Sequence, residues 1–282
     1  MWHDSLKIGV EKIDEQHKML FSKVEQLIDE LVDTGEYHKD NVTSIILFLK
    51  DYAVTHFADE EAYQLSINEV NYLQHKMLHE NFVETVLEHE KRLIASDFAQ
   101  SDVSKFTGTL LAWLAYHVSE VDQKIGKAAE VTAENDNHTD LICECFCNVI
   151  SNYVNMNNDT NTCSVIKAGN HDETFEGSVT IRHYFTHILE GYVVFDYSSA
   201  FISELMYSLT GIPLDKIGNF EKTFLLQIST IIIENIYRRL YVDKYNFSEM
   251  KILIVDKDET YPEERIAFDT GMGIVDVGFS FV

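Results

Sequence analysis

The chain has 282 residues, enough for two ordinary domains or one large one, and 45% of them are hydrophobic, so a sizeable core can be buried. It carries 47 acidic against 22 basic side chains, a formal net charge of −25. That balance argues against a nucleic-acid backbone or an anionic membrane as partner and favours basic or cationic ones.

The chain opens MWHDSLK, without a basic start followed by an apolar run, so no secretory leader is expected. Four segments then show apolar residues at three- and four-residue steps, the signature of helices with one buried face. The first carries Ile13, Leu20, Val24, Leu27 and Leu31; the second Val42, Ile45, Leu49, Tyr52 and Tyr63. The third carries Phe82, Val86 and Leu93, and the fourth Phe106, Leu110, Trp113, Leu114, Val121 and Ile125. The connections DTGEYHKD, LSINEV and SDFAQSDVS are short and polar. Short loops favour antiparallel neighbours, so residues 1–130 are expected to form an all-α, up-down-up-down four-helix bundle.

The stretch EVTAENDNHTD is polar and aperiodic and reads as a linker over 131–139. Beyond it, residues 140–282 mix helical patterns at Leu141–Val154, Ser199–Leu209 and Phe220–Val242 with strand-like runs. The runs are Ser178–His183, Gly191–Tyr197, Lys251–Val255 and Gly273–Val282, which together predict an α+β domain. The longest apolar stretch, around Leu225–Ile233, includes Gln227, Ser229 and Thr230 and is too short and polar to span a bilayer. A cytoplasmic, reducing compartment is therefore expected. Cys143, Cys145, Cys147 and Cys163 match neither a zinc ribbon nor a redox CxxC pair, and read as small buried or half-buried thiols. A metal site there with His138 or His171 is the alternative. There is no GxGxxG and no Walker-type phosphate loop.

The bundle stripes contain an anomaly. His17 interrupts the first, His56 and Glu60 the second, His75 and His79 the third, and His117 the fourth, with Asp122 close by. His17 lies near the start of its helix, His56 near the end of the next, His75 and His79 near the start of the third, and His117 near the end of the fourth. In an antiparallel bundle those ends lie together, so five imidazoles and two carboxylates share one level of one core. An isolated histidine on a helix is ordinarily a packed or solvated side chain; seven coincident ionisable groups are not. Without compensation they would overwhelm a net stability of about 5–15 kcal/mol. Metal ions resolve the conflict, because neutral imidazole and carboxylate oxygen become ligands. The number of donors predicts two metals with bridging carboxylates, and an open position where five nitrogens divide three and two. Mixed nitrogen and oxygen ligation suits iron or manganese better than zinc. His117 and Asp122 are five apart rather than four, which predicts a frayed or π-bulged turn between them. Glu61 is expected to face solvent. His3, His38, His89, His138, His171, His183 and His187 show no such convergence.

Residues 1 to about 130 resemble a bacterial hemerythrin (bacteriohemerythrin). The resemblance rests on Trp2, on Ile13-Asp14-Glu15-Gln16-His17, on His56-Phe57-x-x-Glu60, on His75-x-x-x-His79, and on His117-x-x-x-x-Asp122. It implies a non-haem di-iron centre with an oxo or hydroxo bridge that binds O2 reversibly. It further implies that His75, His79 and His117 hold the saturated iron, that His17 and His56 hold the iron with the open site, and that Glu60 and Asp122 bridge. One departure is visible: the tyrosine-proline pair common before the third helix is Glu69-Val70 here.

Residues from about 140 onward resemble, more loosely, the CheX/CheC-type chemotaxis phosphatase domains. The likeness rests on the order of elements, on Gly191-Tyr-Val-Val-Phe-Asp-Tyr leading into a helix that ends at Leu209-Thr-Gly211, and on the helix from Phe224. In that family the helix carries a Glu-x-x-Asn pair; the matching positions here are Gln227 and Thr230. Gln227 lacks the charge and Thr230 the amide, and the adjacent Glu234 and Asn235 cannot replace a pair spaced three apart. No, or very weak, phosphatase activity is expected, and the domain reads as a docking or homodimerisation module.

The leading expectation is an oxygen-responsive signalling or adaptor protein whose partner is a response regulator or another chemotaxis protein. The alternatives are an O2 store or carrier without signalling, a di-iron oxidase or peroxidase, and a residual response-regulator phosphatase.

Overall fold

The computed structural model describes residues 2–34, 36–127, 138–155, 163–168, 179–186, 190–240, 251–255, 262 and 264–281. The chain divides into two compact units, Met1–Val131 and Thr132–Val282. Most of the expected linker over 131–139 lies outside the described residues, and the first helix of the second unit already begins at His138.

The first unit is a four-helix bundle of α1 (Glu11–Thr34), α2 (Lys39–Ser66), α3 (Tyr72–Ala95) and α4 (Gln100–Tyr116). Both α1 and α3 pack against α2 and α4. The expected stripes form the core: Ile13, Leu20, Val24, Leu27, Val42, Ile45, Leu49, Phe82, Val86, Leu93, Phe106 and Leu110 are all buried. The second stripe ends differently from expectation. Gln64, four residues beyond Glu60, is fully buried, while Tyr63 is half-buried. The first turn of α1 is anchored by Asp14, whose carboxylate accepts the N–H groups of Ile8 (2.8 Å) and Gly9 (3.2 Å). Trp2 packs edge-on against Phe21, ring centroids 5.6 Å apart.

Entry into α3 does not use proline. Asn68 adopts a left-handed φ of 55°. The Glu69 carboxylate then accepts N–H bonds from Asn71 (3.3 Å) and from Gly126 (2.8 Å), the latter beyond the end of α4. A side chain thus supplies the order that a rigid ring would give, and it ties two ends of the bundle together.

The second unit contains α5 (His138–Asn155), β1 (Ser164–Ala168), β2 (Val179–Thr186), β3 (Glu190–Tyr197), α6 (Ser199–Thr210), α7 (Asn219–Leu240), β4 (Lys251–Val255), β5 (Glu264–Asp269) and β6 (Ile274–Phe281). The strands form an antiparallel sheet in the order β1-β5-β6-β3-β2-β4. Residues alternate between its faces. One face supplies Ile181, Val193, Phe195, Tyr197, Ile266, Phe268, Val275 and Val277 to a core completed by Phe146, Tyr153, Phe201 and Phe224 of the helices. The other presents Thr180, Arg182, Asp196, Arg265 and Asp276, all buried. There Thr180 Oγ1 donates to Asp196 (3.1 Å) and Arg265 pairs with Asp276. β1 and β5 were not among the expected strands. β1 is five residues long, and the outward charges of β5 mask its alternation.

The junction of α6 with β6 is tight. Ser198 Oγ accepts N–H bonds from Phe201 (3.3 Å) and Ile274 (3.2 Å). Gly273 has φ +151°, and a Cβ there would fall 2.4 Å from the Phe201 nitrogen. Gly273→Ala is therefore expected to destabilise the second unit by roughly 2 kcal/mol or more. Its urea unfolding midpoint should drop accordingly; an unchanged midpoint would show that the junction yields freely.

Candidate metal centre

The seven anomalous side chains come from every helix of the bundle, and the structure brings all of them together. His17 is in α1, His56 and Glu60 in α2, His75 and His79 in α3, and His117 and Asp122 follow α4. None is more than 4% exposed, and Glu60 and Asp122 are fully buried. Asp122 Oδ2 lies 3.2 Å from His17 Nε2, while its Oδ1 lies 3.1 Å from both His75 and His117 Nε2. Glu60 Oε1 lies 3.1 Å from His75 Nε2, and Oε2 lies 3.4 Å from both His56 and His79 Nε2. Each carboxylate thus faces several imidazoles with both oxygens. Two groupings hold their donor atoms close enough to share an ion: Glu60, His75, His79 and His117, and His17, His56 and Glu60.

The backbone explains how Asp122 reaches this level. His117–Val121 forms a π turn, in which the Asp122 N–H bonds to the His117 carbonyl. A five-residue hydrogen-bonded step places residues five apart above one another, as the spacing of His117 and Asp122 requires.

The donor chemistry fits a cation. His75 and His79 Nε2 lie 3.2 and 3.1 Å from His117 Nε2. Two imidazole nitrogens can share at most one proton, so three converging rings cannot all be hydrogen-bonded to one another. Among the described residues, Glu60 Oε2, both Asp122 oxygens and both His17 nitrogens have no hydrogen-bond partner. Adjacent nitrogens on an octahedral ion with bonds of about 2.1 Å lie roughly 3.0 Å apart, against roughly 3.4 Å for a tetrahedral one. The observed separations fall between the two.

Surrounding groups fix which nitrogen faces inward. His56 Nδ1–H donates to Gln16 Oε1 (3.0 Å), and Gln16 Nε2 donates to Asp59 (2.9 Å), which also accepts from Lys12 (2.8 Å). His79 Nδ1–H donates to Glu61 Oε1 (3.3 Å), and Lys76 donates to the other Glu61 oxygen (2.8 Å). Each arrangement leaves Nε2 with a lone pair. Glu61 is thus not a solvent-facing residue: it reaches across to α3 and is mostly buried. Gln64 Nε2 donates to Glu60 Oε1 (3.0 Å). Aromatic rings complete the setting, with Phe57 stacked on His79 (3.9 Å), Trp113 on His117 (4.2 Å) and Tyr52 on His56 (4.5 Å). Gln16, Glu61 and Gln64 were not expected in the site, although Gln64 stands one further four-residue step beyond His56 and Glu60.

The electrostatics agree. Burial and the Asp122 charge push Glu60 up, but the facing His56, His79 and His75 rings outweigh them and bring it down to about 2. Asp122 is likewise held well below the carboxylate range: burial opposes its ionisation, and His117, His17 and His75 overcome it. Burial drives His56 and His117 down, favouring neutral, metal-ready rings. Burial also acts on His75, but Asp122 and Glu60 prevail and raise it.

The remaining histidines stay apart from this cluster. His3 and His38 are exposed, bonded to Ser5 and Glu30. His89 lies against Phe106, and burial lowers it to about 4. His183 is fully buried, 2.7 Å from Ser229 Oγ, and burial lowers it to about 3. His171, His187 and the side chain of His138 lie outside the described residues. In the second unit, Gln227 and Thr230 are half-buried on α7, and the Thr230 hydroxyl donates back to the Leu226 carbonyl (2.8 Å). The described cysteines are free thiols, Cys145 buried and the others half-buried. No described helix is long and apolar enough to cross a membrane.

Comparison with known proteins agrees with this geometry. The model of the hemerythrin HHE cation-binding domain matches residues 8–129. A bacteriohemerythrin of Clostridium acetobutylicum is 30% identical over 128 residues, 44% of this chain and 96% of that protein. One of Stenotrophomonas maltophilia is 32% identical over 124 residues, 44% of this chain and 76% of that protein. A myohemerythrin of Theromyzon tessulatum is 29% identical over 85 residues, 30% of this chain and 63% of that protein. The C-terminal region is similar in structure to a CheC-like superfamily protein from Shewanella sp. PV-4, at 12% identity and a TM-score of 0.40, covering 52% of this chain and 99% of that one. It is also similar to a chemotaxis protein CheX from Desulfovibrio desulfuricans, at 13% identity and a TM-score of 0.41, covering 51% of this chain and 99% of that one. With its buried His, Glu and Asp cluster inside a four-helix bundle, and with these relatives, the chain belongs to the hemerythrin family through its first unit.

Proposed function

We propose that the first unit holds two non-haem iron ions and binds O2 reversibly, and that the whole chain is an oxygen-responsive adaptor. The observation that carries the metal reading is the approach of His75 and His79 to within 3.1–3.2 Å of His117 through their Nε2 atoms. His75, His79 and His117 hold one iron, His17 and His56 the other, and Glu60 and Asp122 lie between them. This division is supported by Asp122, which turns Oδ1 to His75 and His117 and Oδ2 to His17. The ion with two imidazoles has fewer protein donors, which leaves room for a small exogenous ligand. When bound, the iron pair supplies the electrons that O2 binding draws on. The protein's own part is to orient the rings through Gln16 and Glu61, and to keep bulk water from them with Tyr52, Phe57, Phe82 and Trp113.

Purified protein should contain two irons per chain and show a charge-transfer band that appears on aeration and disappears on removal of O2. His56→Ala and His17→Ala should lose that band while retaining part of the metal. A colourless protein carrying zinc alone would end the O2 reading. Glu61→Ala removes the acceptor of His79 Nδ1–H without touching a ligand. A fall in iron affinity of roughly 10- to 100-fold is expected, followed by competition with a chelator. Unchanged retention would mean that the ring needs no such partner.

The second unit serves as a docking or dimerisation module without phosphatase activity. Gln227 offers no charge, and the Thr230 hydroxyl is engaged with its own helix. A separate second unit also distinguishes an adaptor from a plain store or carrier, which needs only the bundle. Oxygenated and deoxygenated protein should therefore differ in protease sensitivity, while the lifetime of a phosphorylated response regulator is unaffected by either form. Identical digestion patterns would favour the carrier. Accelerated dephosphorylation lost in Gln227→Ala would make the second unit an enzyme.

A further inference from the structure

The cysteines make a contact that the metal centre does not use. Cys147 on α5 and Cys163, the residue before β1, hold their sulfur atoms 3.0 Å apart. That is closer than ordinary non-bonded carbon contacts of about 3.5–4.0 Å, although sulfur is the larger atom. A disulfide bond is about 2.05 Å long, so roughly 1 Å of approach remains. Both residues are half-buried, so small oxidants can reach them, whereas Cys145 points into the core. β1 is an edge strand, paired among the described residues with β5 alone. We propose that Cys147 and Cys163 are a reversible oxidation site, forming an intramolecular disulfide that ties the edge strand β1 to α5.

The electrostatics assign the two roles. The contact with Cys163 lowers the Cys147 thiol. Cys163 is raised by that same contact, by burial, and by nearby Asp269 and Cys143. Cys147 is therefore the sulfur that ionises first, and the thiolate is the reactive form. With a peroxide as oxidant, the Cys147 thiolate attacks one oxygen, the O–O bond breaks and hydroxide leaves, which gives a sulfenic acid. The Cys163 sulfur then attacks the sulfenic sulfur, the S–O bond breaks, and water leaves with the Cys163 proton. In total two thiols and one peroxide give one disulfide and two waters, with two electrons passing from sulfur to oxygen. A thiol reductant reverses the link by exchange. The preformed contact favours this closure over further oxidation of Cys147, because the second sulfur is already in place.

The full chain should be treated with hydrogen peroxide and, in a parallel arm that avoids reaction of peroxide with iron, with oxidised glutathione. In both arms two of the four thiols should be lost. Peptide mapping should show a Cys147–Cys163 cross-link within one chain, and dithiothreitol should restore both thiols. Cys143→Ser and Cys145→Ser should leave the cross-link intact. Cys163→Ser, checked for an unchanged circular dichroism spectrum, should abolish it and leave a Cys147 sulfenic acid trapped by dimedone. The proposal is overturned if the cross-link forms between chains or through Cys143 or Cys145. It is equally overturned if Cys147 proceeds to the sulfinic acid while Cys163 stays reduced.

Discussion

The first unit is organised around one constraint: imidazole nitrogens and carboxylate oxygens point at one another in a buried core, where they cannot all satisfy each other. A buried polar group without a partner costs on the order of 1–3 kcal/mol, and more if charged. His17 has neither nitrogen hydrogen-bonded among the described residues, and Asp122 neither oxygen. Domains of this size have too little net stability to hold such a cluster uncompensated. The rest of the bundle follows from keeping the cluster together. The π turn after α4 gives up a regular helical hydrogen bond to bring Asp122 level with His117. Gln16 and Glu61 hold the His56 and His79 rings by their outer nitrogens.

The sequence showed the clustered side chains clearly because helical periodicity makes an ionisable residue in an apolar stripe conspicuous. His17, His56, Glu60, His75, His79 and His117 each broke such a stripe, and the irregular five-residue step to Asp122 announced the wide turn. The supporting residues were hidden for a different reason. Glu61 belongs to the flank of α2 on any helical projection, yet its side chain is long enough to reach His79 on α3. Periodicity locates Cα atoms on a face; it does not say where a long flexible side chain ends. Gln64 was masked by its neighbour Tyr63, which has the expected apolar character but is only half-buried.

In the second unit the strands followed the same logic in reverse. β3 and β6 are apolar enough to be seen at once, whereas β5 alternates Arg265 with Ile266 and Phe268 and reads as a charged loop. The sheet resolves this by placing Arg265 beside Asp276 of β6, on the face away from the helices. Such a pair exists only once two strands are in register, so no local pattern could reveal it. The contact of Cys147 with Cys163 is likewise a product of tertiary packing. The spacing CECFC did not suggest it because the partner sulfur arrives from another element.

The two units together show how a buried polar group acquires meaning. In the second unit several buried polar side chains meet one another in pairs: His183 meets Ser229, Thr180 meets Asp196, and Arg265 meets Asp276. These contacts hold elements in register. In the first unit the same residue types are as deeply buried but converge on one another with their lone pairs opposed. Burial is equal in the two cases, so burial cannot distinguish structure from function here. The distinction lies in direction, since hydrogen-bonded pairs close on themselves whereas the hemerythrin-type cluster is complete only with positive charge at its centre.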